Sequence, residues 1–432
     1  MSVSVRYGAT GSLTIALDGD RLIGVCGCAD VSQMLPSVAG RPFVALDSKE
    51  FLENLRQSLA TPVEYPDLAH SVVAGDRVTI VVEPGVPRAQ EIVEAAAEQL
   101  VAGGVALEDI TVLHGPSDSM QGARVRGGAA LAAVGVAAAP ASPTAGELRM
   151  LHTEQHDPTD RGKLSYLGNT RSGRPVYMNR LLTDADMVVA IGCYRGPETW
   201  AYRGVYGGLY PAFSDTETLQ RFRNAHLLDR DDEAFAKSQQ EIELVGWQSG
   251  VQATVQVIPG PGGTAAVVAG EIQTVARRAA AVWSELWSAN FAGRADLVVA
   301  ALGGAATQSW NDFGRALDAA LQVVDDGGAI ALCTELAEAP GKALEALAKI
   351  EDRDVAAAEI RKVRPLDAFA ALLLDRAQRR VRVYLLSKLD ATVVEELGVA
   401  PIDAPSDVER LATRRRSCIV LCDAQYATPR VL

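Results

Sequence analysis

The sequence predicts an α/β protein built from two α/β domains, with parallel-rich sheets and an interdomain cleft. Three observations carry this prediction. The chain has 432 residues, too many for one ordinary core at roughly 150 residues per domain. Buried-looking apolar runs alternate with helical stretches. The unit RVTIVV (77–82), helix (88–101) and ITVLH (110–114) has the length of a βαβ crossover, which implies a parallel sheet. Finally, Pro259–Gly263 (PGPGG) separates two such patterns.

The elements follow in chain order. Residues 3–25 alternate apolar and polar around Asp18-Gly19-Asp20, the pattern of a β-hairpin. Residues 52–60 read as a helix stopped by Pro62. After the first βαβ unit, closed by Gly103-Gly104, strands are expected at 186–192 and 251–258. A long helix at about 271–289 links to the second pattern. There, strands at 297–301, 329–333 and 381–386 are separated by helices at 312–324, from 342 to 347, and at 391–397. This places an N-terminal domain at 1–270 and a C-terminal α/β domain at 271–415. The closing run 418–421, within 416–432, is able to pair with either.

Hydrophobic residues make up 48% and charged residues 22%, values of a globular chain rather than a disordered or fibrous one. The net charge of −13 argues against a nucleic-acid-polymer binder but leaves room for a small anion in a local pocket. No apolar run reaches membrane-spanning length, and the opening MSVSVRYGAT lacks the character of a signal peptide. Six cysteines are scattered through a large chain, which predicts reduced thiols and a cytoplasmic protein. Cys26-Gly27-Cys28 is too closely spaced for the usual metal or redox pair, so two small residues in a strand or turn are expected there.

In parallel sheets, ligands gather beyond the carboxyl ends of the strands. The loops there begin at Glu83, Gly115, Cys193, Gly303 and Thr334. Residues 195–211, RGPETWAYRGVYGGLYP, are the most unusual. Gly204, Gly207 and Gly208 permit close backbone approach to a ligand, and Trp200, Tyr202, Tyr206 and Tyr210 offer flat faces. A packed interface loop explains the same residues equally well. His114 ends a buried strand and reads as core. His152 and His156 have the i,i+4 spacing of a metal pair, but their segment is not helical. His226 reads either as a transition-metal ligand or as a hydrogen-bonded structural residue. Neither a dinucleotide fingerprint, a Walker A loop nor a nucleophile elbow occurs.

Several segments in fixed order resemble the lactate racemase family, whose known members use a nickel-pincer nucleotide. They are the hairpin around Tyr7-Gly8, the stretch SLATPVEYPDL (58–68), GNTRSGRPVYMNR (168–180), Ala185-Asp186, the Gly204…Gly207-Gly208 loop, His226, and VVAG (267–270). The resemblance implies two α/β domains and hydride transfer between a 2-hydroxy acid and the cofactor, with two histidines as acid and base. Carried over position by position, it departs at the centre. Ser117 and Trp200 stand at the histidine positions, and Tyr210 stands where a lysine tethers the cofactor. Glu83 opens the segment matching a phosphate-binding loop, with Arg88 the nearest arginine, and His226 matches a nickel-ligand position. Gln308 fits the substrate side, and Arg315 keeps a positive charge near the position of a substrate lysine.

Two readings follow. The first is a divergent racemase or epimerase acting on a small 2-hydroxy acid. Glu198, His156 and Asp118 are its acid/base candidates, Gln308, Arg315 and Trp200 hold substrate, and a noncovalent nickel-pincer nucleotide lies against Glu83, Arg88, Ser117, Gly204, Gly207, Gly208 and Tyr210, with nickel on His226. The second is a catalytically degenerate protein that binds a small anion or a partner. Glu198 and Asp118 are equally explained as surface loop carboxylates, and Arg315 as a solvent-facing helix cation. A protein carrying metal or nucleotide for another enzyme is a third reading.

Overall fold

A computed structural model describes residues 2–16, 21–27, 45–116, 148, 151–197, 204–229, 232–304 and 308–432. Their centre is a pair of six-stranded sheets, each predominantly parallel and each covered by helices.

The first sheet is ordered β11-β10-β9-β4-β5-β6. Its strands are β4 (Val78–Val82), β5 (Ile110–His114), β6 (His152–Gln155), β9 (Met187–Cys193), β10 (Ala253–Gly260) and β11 (Gly263–Gly270). β4 and β9 are buried along their whole length, so they read as continuous apolar runs rather than alternating ones. Only β10 and β11 pair antiparallel, across the Pro-Gly turn. Helices Ser48–Ala60 and Ala89–Ala102 share one core with the sheet through Phe51, Leu55, Ile92 and Leu100. On the opposite face, the small hairpin β7 (Leu164–Asn169) and β8 (Pro175–Asn179) and the helix Glu233–Gln248 cover Val81, Val188 and Ala190.

The second sheet is ordered β16-β15-β14-β13-β17-β3 and is wholly parallel. It holds β3 (Leu22–Cys26), β13 (Ala295–Ala301), β14 (Val324–Cys333), β15 (Arg382–Leu386), β16 (Ala400–Ile402) and β17 (Cys418–Leu421). Helices Trp310–Val323, Lys342–Lys349, Arg353–Val363 and Ala368–Gln378 build its larger core.

The chain opening departs from expectation. The hairpin is β1 (Ser2–Tyr7) with β2 (Gly11–Ala16), turning at Gly8 rather than at Asp18-Gly19-Asp20. Gly8 sits at φ +59°, and a Cβ there would collide with Glu335, so this turn demands glycine. β3 then joins the second sheet beside β17 instead of the sheet that follows it in sequence. Val5, Leu13 and Ile15 pack on that sheet's outer face. Residues 2–26 and 418–421 therefore belong structurally with the later part of the chain.

The helix Ile272–Trp287 starts as expected and then hands over to a short strand, β12 (Ser288–Phe291), paired with β18 (Thr428–Val431). Cys26, Cys193, Cys333 and Cys418 are free and buried, which suits small apolar side chains. Cys422 is disulfide-bonded, contrary to the expectation of reduced thiols throughout. Among the described residues, no helix is long and apolar enough to cross a membrane.

Candidate functional site

Strand ends of both sheets meet. At the end of β4, Glu83 accepts a hydrogen bond from the Cys193 N–H at 3.1 Å and pairs with the Arg195 guanidinium at 3.6 Å. Burial opposes the charge on Arg195. Neighbouring Cys193, Glu83, Tyr426 and Asp312 outweigh that and hold it charged. Its Nε has no acceptor among the described residues. Asp312 and Tyr426 belong to the second half of the fold, so this cluster ties the two sheets together. Asp312 caps the helix Trp310–Val323 with Ser309 and accepts from Arg315 at 2.7 Å. Around Tyr426 lie Trp283 and Trp287, with ring centres 5.9 and 5.5 Å away, and Tyr194 meets Trp283 edge-on.

A second tie is Asp423, which follows β17 with φ +47°. Its Oδ2 accepts from the Gly262 N–H, in the turn of the first sheet, at 2.8 Å. Its other oxygen lies where a Cβ on Gly303 would have to sit. Burial pushes its carboxyl up to about 6. The Gln425 amide brackets the backbone of the same Gly303.

Beside these ties opens a cavity of about 720 Å³. One wall comes from Gln220 and Arg223, just before the His226 segment. Another comes from Ser309, Trp310 and Asn311, at the start of the helix that bears Arg315. The rest comes from the loop ending at Lys342 and the connector Val363–Asp367. Neither His226, Arg315 nor the glycines of the loop at 204–208 line this hollow. The carboxylates lining it are engaged. Asp367 accepts from the N–H groups of Ala343 (3.0 Å) and Leu344 (2.9 Å), Glu338 accepts from Trp310 N–H at 3.2 Å, and Glu345 pairs with Lys349 at 2.8 Å. The exposed Lys342 makes no hydrogen bond or ion pair among the described residues, though its charge helps to lower the pKa of Glu345, and Arg364 spends its Nε on the Arg361 carbonyl at 3.2 Å. The hydrogen-bonding capacity left open in the cavity is therefore that of donors, the Lys342 ammonium and the Arg364 guanidinium.

The residues singled out in the sequence fall into three groups. Asp118, Ser117, Glu198 and Trp200 lie outside the described residues. Glu83 and Arg315 join the inter-sheet cluster, and Gly208 passes close to Glu83, a Cβ there standing 3.7 Å from its carboxylate. Gly204, at φ +63°, opens the single turn Val205–Gly208 that contains Gly207.

The remaining residues have structural partners. Arg88 pairs with Glu91 and lies 4.0 Å over the Phe51 ring. His156 is buried. One ring nitrogen bonds the Ser214 carbonyl at 2.9 Å and the other Asn179 at 3.0 Å, and burial lowers its pKa, so it serves as a neutral structural imidazole. Tyr210 is fully buried, with its hydroxyl between Glu241 (2.5 Å) and Arg221 (2.8 Å). Gln308 commits its amide to Leu302, Thr334 and Glu335, splicing the ends of β13 and β14. His226 points outward to Asp232 at 2.8 Å, while Ala225, Leu227 and Leu228 of its segment pack on the second core. His152 sits exposed on a strand rather than a helix. Among the described residues, no group of three or more His, Cys, Asp or Glu side chains is placed to hold a metal ion.

The reading of the sequence missed Arg195, Asp423, Tyr426, Lys342 and Arg364. Arg195 opened the unusual aromatic stretch, and Arg364-Pro365 marked a helix end. The other three carried no local signal.

Comparison with known proteins agrees with this architecture. Residues 146–234 match the family model of the lactate racemase N-terminal domain. The fold is similar to that of the lactate racemase apoprotein from Thermoanaerobacterium thermosaccharolyticum, with a TM-score of 0.68 at 14% identity over 100% of both chains. It is also similar to a structurally characterised protein from Thermotoga maritima, with a TM-score of 0.60 at 13% identity over 90% of this chain and 99% of that one. No curated protein matches by sequence. Over residues 146–234 the sequence is thus similar to the lactate racemase N-terminal domain, and along its length the fold is similar to that of a lactate racemase apoprotein.

Proposed function

We propose that this protein binds a small organic anion of the 2-hydroxy acid type in the cavity that Gln220 and Arg223 form with the helices and loops covering the second sheet. The observation that carries this reading is the cavity lining, where the carboxylates accept backbone hydrogen bonds or pair with lysine, while Lys342 holds no hydrogen bond and Arg364 spends only its Nε. A carboxylate entering there gains charge-assisted hydrogen bonds without stripping an existing ion pair. Cavities of about 300–1,000 Å³ with a few converging polar groups are the usual form of small-molecule sites.

The described residues do not fit the nickel-pincer nucleotide of the resembled family. A lysine thioamide cannot form on Tyr210, whose hydroxyl is already held by Glu241 and Arg221. His226 is turned to Asp232, and among the described residues no group of three or more His, Cys, Asp or Glu side chains gathers there. The retained chemistry is recognition of the acid rather than hydride transfer.

Isothermal titration with 2-hydroxy acids, and with their amides as uncharged controls, tests the proposal. The acids bind with unit stoichiometry, and the double variant Lys342→Gln/Arg364→Gln weakens them about tenfold or more while leaving the amides unchanged. Equal binding of acids by the variant would refute the role of these cations. Racemisation of an enantiopure 2-hydroxy acid by protein loaded with nickel would instead establish the catalytic reading.

A further inference from the structure

We infer that the anion taken by this cavity has a substantial apolar body, an aliphatic or aryl chain, rather than three carbons. The inference rests on the anion-binding reading and adds the class of ligand. Two observations support it. The volume, about 720 Å³, lies in the range that encloses drug-sized ligands, and a three-carbon acid would fill only a small part of it. Moreover, the cations share the lining with apolar side chains. Lys342 follows Pro340, and Arg364 stands between Val363 and Pro365-Leu366, with Trp310 on another wall.

Val363 is 49% exposed and Leu366 37% exposed, each beside the cavity and uncovered by the core of its own helix pair. Arg364 adopts a left-handed conformation (φ +52°) at the end of the helix Arg353–Val363, where glycine is the ordinary choice. This one short connector lines the cavity with both a guanidinium and two apolar side chains. A ligand with a charged head and an apolar tail satisfies both; lactate satisfies only the first.

The test is a homologous series of straight-chain 2-hydroxy acids, from three to ten carbons, titrated into the full-length protein by calorimetry. Affinity should rise about two- to fourfold per added methylene until the cavity is filled, the upper figure being that of full burial. The variant Leu366→Asn, at a partly exposed position that does not threaten folding, should flatten the rise while leaving the shortest acid unaffected. Lys342→Gln/Arg364→Gln should lower every member by a common factor. A flat chain-length series with intact binding of short acids overturns this inference and leaves the anion reading standing. A steep series that Leu366→Asn does not change also overturns it, because the tail then binds elsewhere. Absence of binding across the whole series overturns both.

Discussion

Asp423 offers a prediction whose size follows from the structure. Its carboxyl is buried between the turn of the first sheet and Gly303 of the second, and burial raises it to about 6. An ordinary aspartate titrates near about 3.9. The folded state thus holds this proton more tightly than the unfolded chain does. The stabilisation is complete below about pH 4 and is lost as pH rises through about 6. Two units correspond to about 3 kcal/mol. Asp423→Asn keeps an acceptor for Gly262 N–H and removes the titration. Denaturant unfolding of both proteins from pH 4 to pH 8, followed by tryptophan fluorescence, gives the difference in stability, in which the other titrating groups cancel. The stability of Asp423→Asn relative to wild type should increase by about 2 kcal/mol between pH 4 and pH 7. A difference that stays flat, or falls with pH, would refute the claim that this carboxylate is buried at a junction between the sheets.

Further predictions concern residues with structural partners. Tyr210→Phe removes a hydroxyl that bonds two charged groups, Glu241 and Arg221, which keep their own contact at 2.6 Å; it should cost about 1–3 kcal/mol in denaturant unfolding and leave anion binding unchanged. Leu228→Ala, in the segment packed on the second core, should cost about 2–4 kcal/mol, whereas exposed His226→Ala should change stability by under about 0.5 kcal/mol and leave anion binding intact. Burial lowers the pKa of His156, so the unfolded chain takes up this proton first. Its contribution is complete above about pH 6.5 and is lost as pH falls; His156→Gln should therefore show a weaker acid-side loss of stability than wild type.

The parts of the fold visible in the sequence are those decided locally. RVTIVV and DMVVAIG are apolar on both faces because helices cover both faces of their sheet, and each forms a strand within a residue or two of the expected limits. Pairing at long range was hidden. β3 joins β17 nearly four hundred residues away, and nothing in either strand names its neighbour. The turn at Gly8 was missed for a related reason, since Glu335 enforces the glycine from another part of the chain.

The candidate site divides in the same way. The strand-end rule led to Glu83 and to the loop after β9, and both reach the inter-sheet cluster. Arg315 also reaches it, though as the partner of Asp312 rather than on the cavity lining. His156, Tyr210 and Gln308 look chemically able in isolation, and only their buried partners show them to be committed. Conversely, Lys342 and Arg364 look like ordinary surface cations until the carboxylates around them are seen to be occupied.

The most direct measurement is a crystal structure of the protein with a straight-chain 2-hydroxy acid brominated at its far end, located by the anomalous signal of bromine. The account predicts a bromine peak in the cavity near Pro340 and Leu366, with the carboxylate at Lys342 and Arg364. A bound acid seated instead at the Arg195–Tyr426 cluster, or on the protein surface with the cavity holding only solvent, would contradict it.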